Sequence, residues 1–215
     1  MRYFVSLGKS CQTTHQITHF ATNHSNLISV VKGPFDWLIC PPDSTAAWLG
    51  SGLRDFGLDE LVEYRGRAYW PHFKIWFWHG FLDRSQNPPQ LDIREFVDRE
   101  LSKLRYQREV FQSLDVNRTC FILSNTQNNL STEVFDSHEL ELYKFDAHRI
   151  DSLETELNRF FGQTVNLQIV TRKDRCASEL LARDNVHLLP LDQSEWKGDK
   201  SAWEQLLHSF KVTSE

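Results

Sequence analysis

The chain has 215 residues, 40% of them hydrophobic, and a formal net charge of −5. That length buries one sizeable core without requiring a second domain, so a single domain over residues 1–215 is expected. The acidic balance and the lack of a long Lys/Arg block argue against a protein built to neutralise phosphates, and no nucleic-acid partner is expected.

Met1 to Val5 run straight into a strand pattern without a long apolar leader, and no apolar run reaches the ~18 residues of a spanning helix. The expectation is a cytoplasmic protein with no membrane partner. Cys11, Cys40, Cys120 and Cys176 are dispersed and form no CxxC pair. This fits reduced thiols in a reducing compartment, with no disulfide framework and no bound zinc.

In chain order, Arg2–Leu7 reads as a buried strand, Gly8 breaks it, and Gln12–Thr22 carries the Ile17 and Phe20 spacing of a short helix. Leu27–Val31 and the turn-bearing KGPFDWL follow, where Pro34 fixes the chain direction and Phe35 and Trp37 offer large anchors. Asp43 or Ser44 is positioned to cap a helix ending at Gly50 or Gly52. Phe73, Ile75, Phe77 and His79 alternate with Lys74, Trp76 and Trp78, which predicts a strand over 73–78.

A loop with Pro88 and Pro89 leads to a long amphipathic helix through Ile93, Phe96, Val97, Leu101, Leu104 and Phe111, with a charged opposite face. TCFILSN predicts a buried strand, IDSLETELNRFF a helix, NLQIVT and VHLLPL two more strands, and SAWEQLLHSF the last helix. Such alternation predicts an α/β fold whose largely parallel central sheet contains 2–7, 73–78, 119–124, 167–171 and 187–191.

Ligands of parallel sheets bind beyond the carboxyl ends of the strands. Cys11, His79 and Asn125 each follow a predicted strand, and so would meet at one edge. A thiol in the first turn of a helix faces free N–H groups and the positive end of the macrodipole, an effect Lys9 would reinforce. The same residue type is also a common small buried hydrophobe. His79 shares a face with Phe77 and Ile75 and reads equally as a core histidine. Asp36 either closes its turn or orients His79, and Asn125 is either a strand-end turn residue or an alternative orienting group. Cys11, His15 and His19 fall on one helical face, but i and i+8 are about 12 Å apart along the axis, too far for one tetrahedral ion. His15 remains the second candidate for a base.

VSLGKSC, GPFDWL and FWHGF together resemble the signature of a family of unknown function classed with the papain-like cysteine peptidases, with Ser-Leu-Gly-x-x-Cys, Pro-Phe-Asp-Trp and His-Asp-Phe elements. Gly80 stands where that family has an acidic residue. The resemblance implies Cys11 as nucleophile, His79 as its base and Asp36 as the acidic member, and a papain-like α+β layout as the alternative fold. Gly8, Ser10, Trp37 and Asn125 then become the expected binding residues. Thiolate attack on an acyl or amide carbon, with helix N–H groups holding the oxyanion, needs no cofactor. It serves a hydrolase or peptidase and an acyltransferase alike, on an acyl, peptide or sugar-linked substrate. A non-catalytic module that binds a ligand in the same crevice is the further alternative.

Overall fold

The computed structural model describes residues 2–127, 141–191 and 196–210. Its centre is a five-stranded, wholly parallel sheet in the order β10-β9-β8-β1-β2. These strands are β1 (Arg2–Ser6), β2 (Ile28–Val30), β8 (Thr119–Ser124), β9 (Asn166–Thr171) and β10 (Val186–Leu188). The chain is therefore α/β.

Both faces of the central strands are apolar, as a sheet covered on two sides requires. Phe4, Cys120, Ile122 and Val170 point into one cluster, completed by Ile17 and Phe20 of α1 (Cys11–Asn23) and by Trp203 and Leu207 of α5 (Lys200–Ser209). Val5, Leu7, Phe121, Leu123 and Ile169 alternate with them into a larger cluster. That side is covered by α2 (Pro42–Gly50), α3 (Ile93–Gln112) and α4 (Ala147–Phe161). Asp92 and Asp146 cap α3 and α4 by accepting from Glu95 and Arg149 N–H groups. Neither Asp43 nor Ser44 is the cap of α2: Pro41 holds that position and Pro42 enters the helix, where a missing N–H costs nothing.

The predicted strand over 73–78 departs most from expectation. Its residues do not join the central sheet. Only Ile75–Phe77 is extended, as β5, and it pairs antiparallel with β4 (Arg67–Trp70), which pairs with β3 (Val62–Tyr64). Lys74 takes a left-handed φ of 53°, so the alternating pattern of Phe73 to Phe77 is broken at its second residue by backbone geometry. Two further short strands, β6 (Leu82–Asp83) and β7 (Gln90–Leu91), form a separate ribbon. The last parallel strand also starts and ends earlier than 187–191, closing at Leu188.

Phe111 joins α3 to the sheet and to the loop that carries Asp36. It is fully buried, with ring centroids 5.7 Å from Phe35, 5.9 Å from Phe121, 5.6 Å from Phe160 and 5.2 Å from Phe161. Phe111→Ala should therefore lower unfolding free energy by about 3–5 kcal/mol, read as a fall in the urea midpoint at unchanged slope. A loss below about 1 kcal/mol would contradict this placement.

Candidate functional site

Because β1, β2 and β8 run parallel, the residues leaving their carboxyl ends share one rim. Cys11 follows β1, Asp36 follows β2 and Asn125 follows β8. The chain order reverses between β1 and β8, the place where open α/β sheets leave a crevice. Here that crevice is occupied by the protein's own polar groups. Asn125 is fully buried: its amide donates to the Tyr143 carbonyl at 3.1 Å and the Arg175 carbonyl at 2.9 Å, and its Oδ1 accepts from Thr171 at 2.6 Å. These bonds tie β8 to β9 and to the segment at Tyr143, so Asn125 is a buried anchor rather than a partner of His79.

Lys9 is buried in the same region. Its Nζ donates to the Tyr143 carbonyl and lies 4.6 Å from the centroids of the Tyr143 and Phe145 rings. Burial pushes its pKa well down, and the nearby Arg175 pushes it the same way. Its ammonium group is thus committed to Tyr143 rather than to Cys11, contrary to expectation. The preceding Gly8 has φ +80°, and a Cβ there would stand 3.2 Å from the Phe35 carbonyl and 3.4 Å from the Cys40 sulfur. Only glycine allows β1 to turn so tightly against the Asp36 loop.

Ser10 is the N-cap of α1 in extended backbone, and its buried hydroxyl has no hydrogen-bond partner among the described residues. Cys11 is the first helical residue and only 4% exposed. Its thiol is pushed up to about 12, first by burial and further by the Asp36 charge; a hydrogen bond from its own backbone acts in the opposite direction. The expectation of a thiolate favoured by the helix end is therefore corrected: loss of water outweighs the helix N-terminus.

Asp36 connects this helix to an open cavity. Its Oδ1 accepts from the Thr14 hydroxyl at 3.0 Å, one turn beyond Cys11, and its Oδ2 accepts from the Gly33 N–H at 3.1 Å. Burial raises the carboxyl to about 7, against the lowering action of both hydrogen bonds and of Lys103 and Lys32. The cavity encloses about 430 Å³, within the range of small-molecule sites, and its walls include Asp36, Trp37 and His79.

His79 lies in the turn after β5 and is exposed, so the reading as a core histidine beside Phe77 and Ile75 does not hold. Its ring meets the Trp37 ring edge-on at 5.4 Å, and its pKa is lowered by partial burial and by the charges of Arg84, Arg67 and Lys103. Trp37 holds its indole there from a left-handed backbone, φ 64°, a conformation costly for a bulky side chain.

The structure therefore brings Asp36, Trp37 and His79 to one cavity and sets Cys11 behind Asp36. No hydrogen bond joins Cys11 to His79 among the described residues, and Cys11 is not part of the cavity wall. His15 packs on Trp196 at 5.4 Å, and His19 Nε2 pairs with Asn23 at 3.3 Å, so neither is turned into a ligand set with Cys11.

Lys32, Arg84, Glu100, Lys103 and Gln107 complete the polar lining, and sequence reasoning did not single them out. Glu100, Lys103 and Gln107 all stand on α3. Their i, i+3, i+7 spacing, bordering the apolar stripe of Leu104 and Phe111, was the available signal of a shared half-buried face. Glu100 also stands against Gly80, 3.6 Å from where a Cβ would be, and accepts from the Phe81 N–H at 3.5 Å.

No family model, curated protein or solved structure matches the chain, so its family resemblance rests on the three motifs alone. Among the described residues, no helix is long and apolar enough to cross a membrane.

Asp36 makes the folded state bind more protons than the unfolded state between pH ~4 and ~7, since its pKa rises from 3.8 to about 7 on folding. Stability linked to this group is complete below pH ~4 and is lost as pH rises through ~7, a change on the order of 4 kcal/mol. Asp36→Asn should remove that slope and raise stability at pH 8 relative to wild type. Denaturant titrations of both proteins from pH 4 to 8 check it, and parallel pH profiles would contradict it.

Proposed function

We propose that the cavity is the substrate site of a cysteine hydrolase or peptidase-like enzyme acting on an acyl or amide bond, with Cys11 as nucleophile, His79 as base and Asp36 as the acidic member. One observation carries the reading: the Asp36 carboxyl links the helix that begins at Cys11 to the cavity lined by His79 and Trp37. It is hydrogen-bonded to Thr14 on the Cys11 helix and shares its cavity with His79 and Trp37. This arrangement occurs although His79 sits in a turn following an antiparallel strand and the other two segments follow parallel strands.

The proton inventory sets the mechanism. The thiol is protonated at rest, because burial holds it near 12, while His79, lowered from 6.5, is neutral at pH 7. The nucleophile is then produced by proton removal as the acyl carbon arrives, in a general-base step rather than from a standing thiolate–imidazolium pair. The Cys11 side chain must move toward the cavity for this step. The Cys11 N–H at the start of α1 would face the developing oxyanion, the Gln12 N–H being already donated to Gln127 Oε1 at 3.3 Å. Lys32, Arg84 and Lys103 line the cavity together with Asp36 and Glu100, and Lys103 pairs with Glu100 at 3.6 Å, so Lys32 and Arg84 are the cations that a substrate's negative charge would meet. Acyl transfer shares the first half-reaction.

A second reading is supported by a specific observation. Cys11 is 4% exposed and outside the cavity wall, as suits a module that binds an anionic ligand without turning it over. Profiling hydrolysis and covalent labelling over a panel of acyl and peptide electrophiles separates the two. Turnover should vanish in Cys11→Ala and fall about 10²–10⁴-fold in His79→Ala, with labelling mapped to Cys11. Saturable binding without turnover, unaffected by Cys11→Ala, would establish the binding module instead.

A further inference from the structure

At the far end of α1, 13 residues and so roughly 20 Å from Cys11, a second group of side chains converges. His24 is the C-cap of α1. Its backbone is fixed from both sides: its N–H donates to the Phe20 carbonyl at 3.1 Å, and its carbonyl accepts from Leu27 at 2.9 Å and Ile28 at 3.1 Å. Glu204 and His208 lie four residues apart on α5, so they share one face of that helix. Trp203 and Leu207 of α5 are buried in the apolar cluster that holds Ile17, Phe20 and Ala21 of α1, which presets the distance between the two elements.

The ligand atoms of His24, Glu204 and His208 all lie within 4.8 Å of one another. His24 Nε2 is 3.4 Å from Glu204 Oε1, at the long limit of a hydrogen bond. The two imidazoles meet edge-on at 4.5 Å, and the Phe20 ring packs against both, 4.5 Å from His24 and 4.8 Å from His208. Phe20 thus supports the rings from the apolar side and leaves their nitrogens toward Glu204 and solvent. His208 makes these ring contacts and no hydrogen bond among the described residues.

We propose that His24, Glu204 and His208 bind a divalent transition-metal ion, zinc foremost, which clamps the C-terminus of α1 to α5. Two imidazoles and one carboxylate are the donor set such ions take, and zinc lies ~2.0–2.2 Å from each. Tetrahedral ligands then stand about 3.3 Å apart, so side-chain rotation alone closes the present spacing. The fourth position faces solvent and takes water. The site joins the end of α1 opposite Cys11 to α5, so its effect on the fold is independent of the proposed reaction.

The test uses the full chain, stripped with EDTA and titrated with ZnCl2 by calorimetry. One equivalent should bind, and Tm should rise by about 5 °C at a hundredfold excess of free zinc over Kd. His208→Ala and Glu204→Gln, both at solvent-accessible positions, should each weaken binding at least about tenfold and abolish the Tm rise. Bound Co2+ should show two hyperfine-shifted imidazole N–H resonances, a readout independent of either variant's stability. Three results would overturn the site: no saturable binding below millimolar zinc, unchanged affinity in both variants, or a sulfur-to-cobalt charge-transfer band that places the ion on a thiol.

Discussion

The buried carboxyl of Asp36 is the constraint on which the candidate site depends. A carboxylate that has lost its water must find donors, and the protein supplies the Thr14 hydroxyl and the Gly33 N–H. The Thr14 bond pins the loop after β2 to the start of α1, fixing where Cys11 stands relative to the cavity, and the Gly33 bond closes the loop on itself. The same loop places Phe35 in the core against Trp48 and Phe111, while Trp37 turns outward to His79. One short segment thereby sends alternate aromatic residues to core and cavity, with the charged residue between them at the boundary.

At Cys11 two effects oppose each other, and their sizes decide the outcome. A helix N-terminus favours an anion by about 0.3–1 kcal/mol, up to ~2 in partly buried geometry. The rise of the thiol from 9.0 to about 12 corresponds to roughly 4 kcal/mol against the charged form. Burial dominates, and the Asp36 charge adds to it. The sequence showed the helix start and hence the smaller effect. It could not show the larger one, because burial of Cys11 arises from contacts made by residues distant in the chain.

The same division explains what was legible elsewhere. The segments beginning at Arg2, Thr119 and Asn166 were readable because strands covered on both faces are continuously apolar, and α3 because twenty residues sustain one amphipathic period. β2 was not recognised as a strand: Ile28–Val30 is only three residues long and takes its identity from pairing with β1. The 73–78 segment misled for a different reason. Aromatic alternation is shared by a central strand and a three-residue antiparallel strand, and the left-handed Lys74 that separates them leaves no mark on a hydrophobicity pattern. For the site, motif residues were visible and their wall was not. Lys103 and Gln107 became neighbours of Asp36 only through tertiary packing.

Placing His79 on a turn rather than in the parallel sheet bears on how the site would work. Asp36 and Cys11 are held by buried elements, whereas His79 is exposed and steadied by the edge of Trp37. The cavity therefore has one wall set by the core and one set by a surface turn. A histidine in that position forms its imidazolium at the rim, where it still meets solvent, although partial burial and the charges of Arg84, Arg67 and Lys103 disfavour it. The cost of charge separation then falls on the sulfur, the group that desolvation has made reluctant to ionise. In the proposed reaction an acyl carbon close enough to share the developing negative charge would relieve that cost and so confine bond formation to the liganded state.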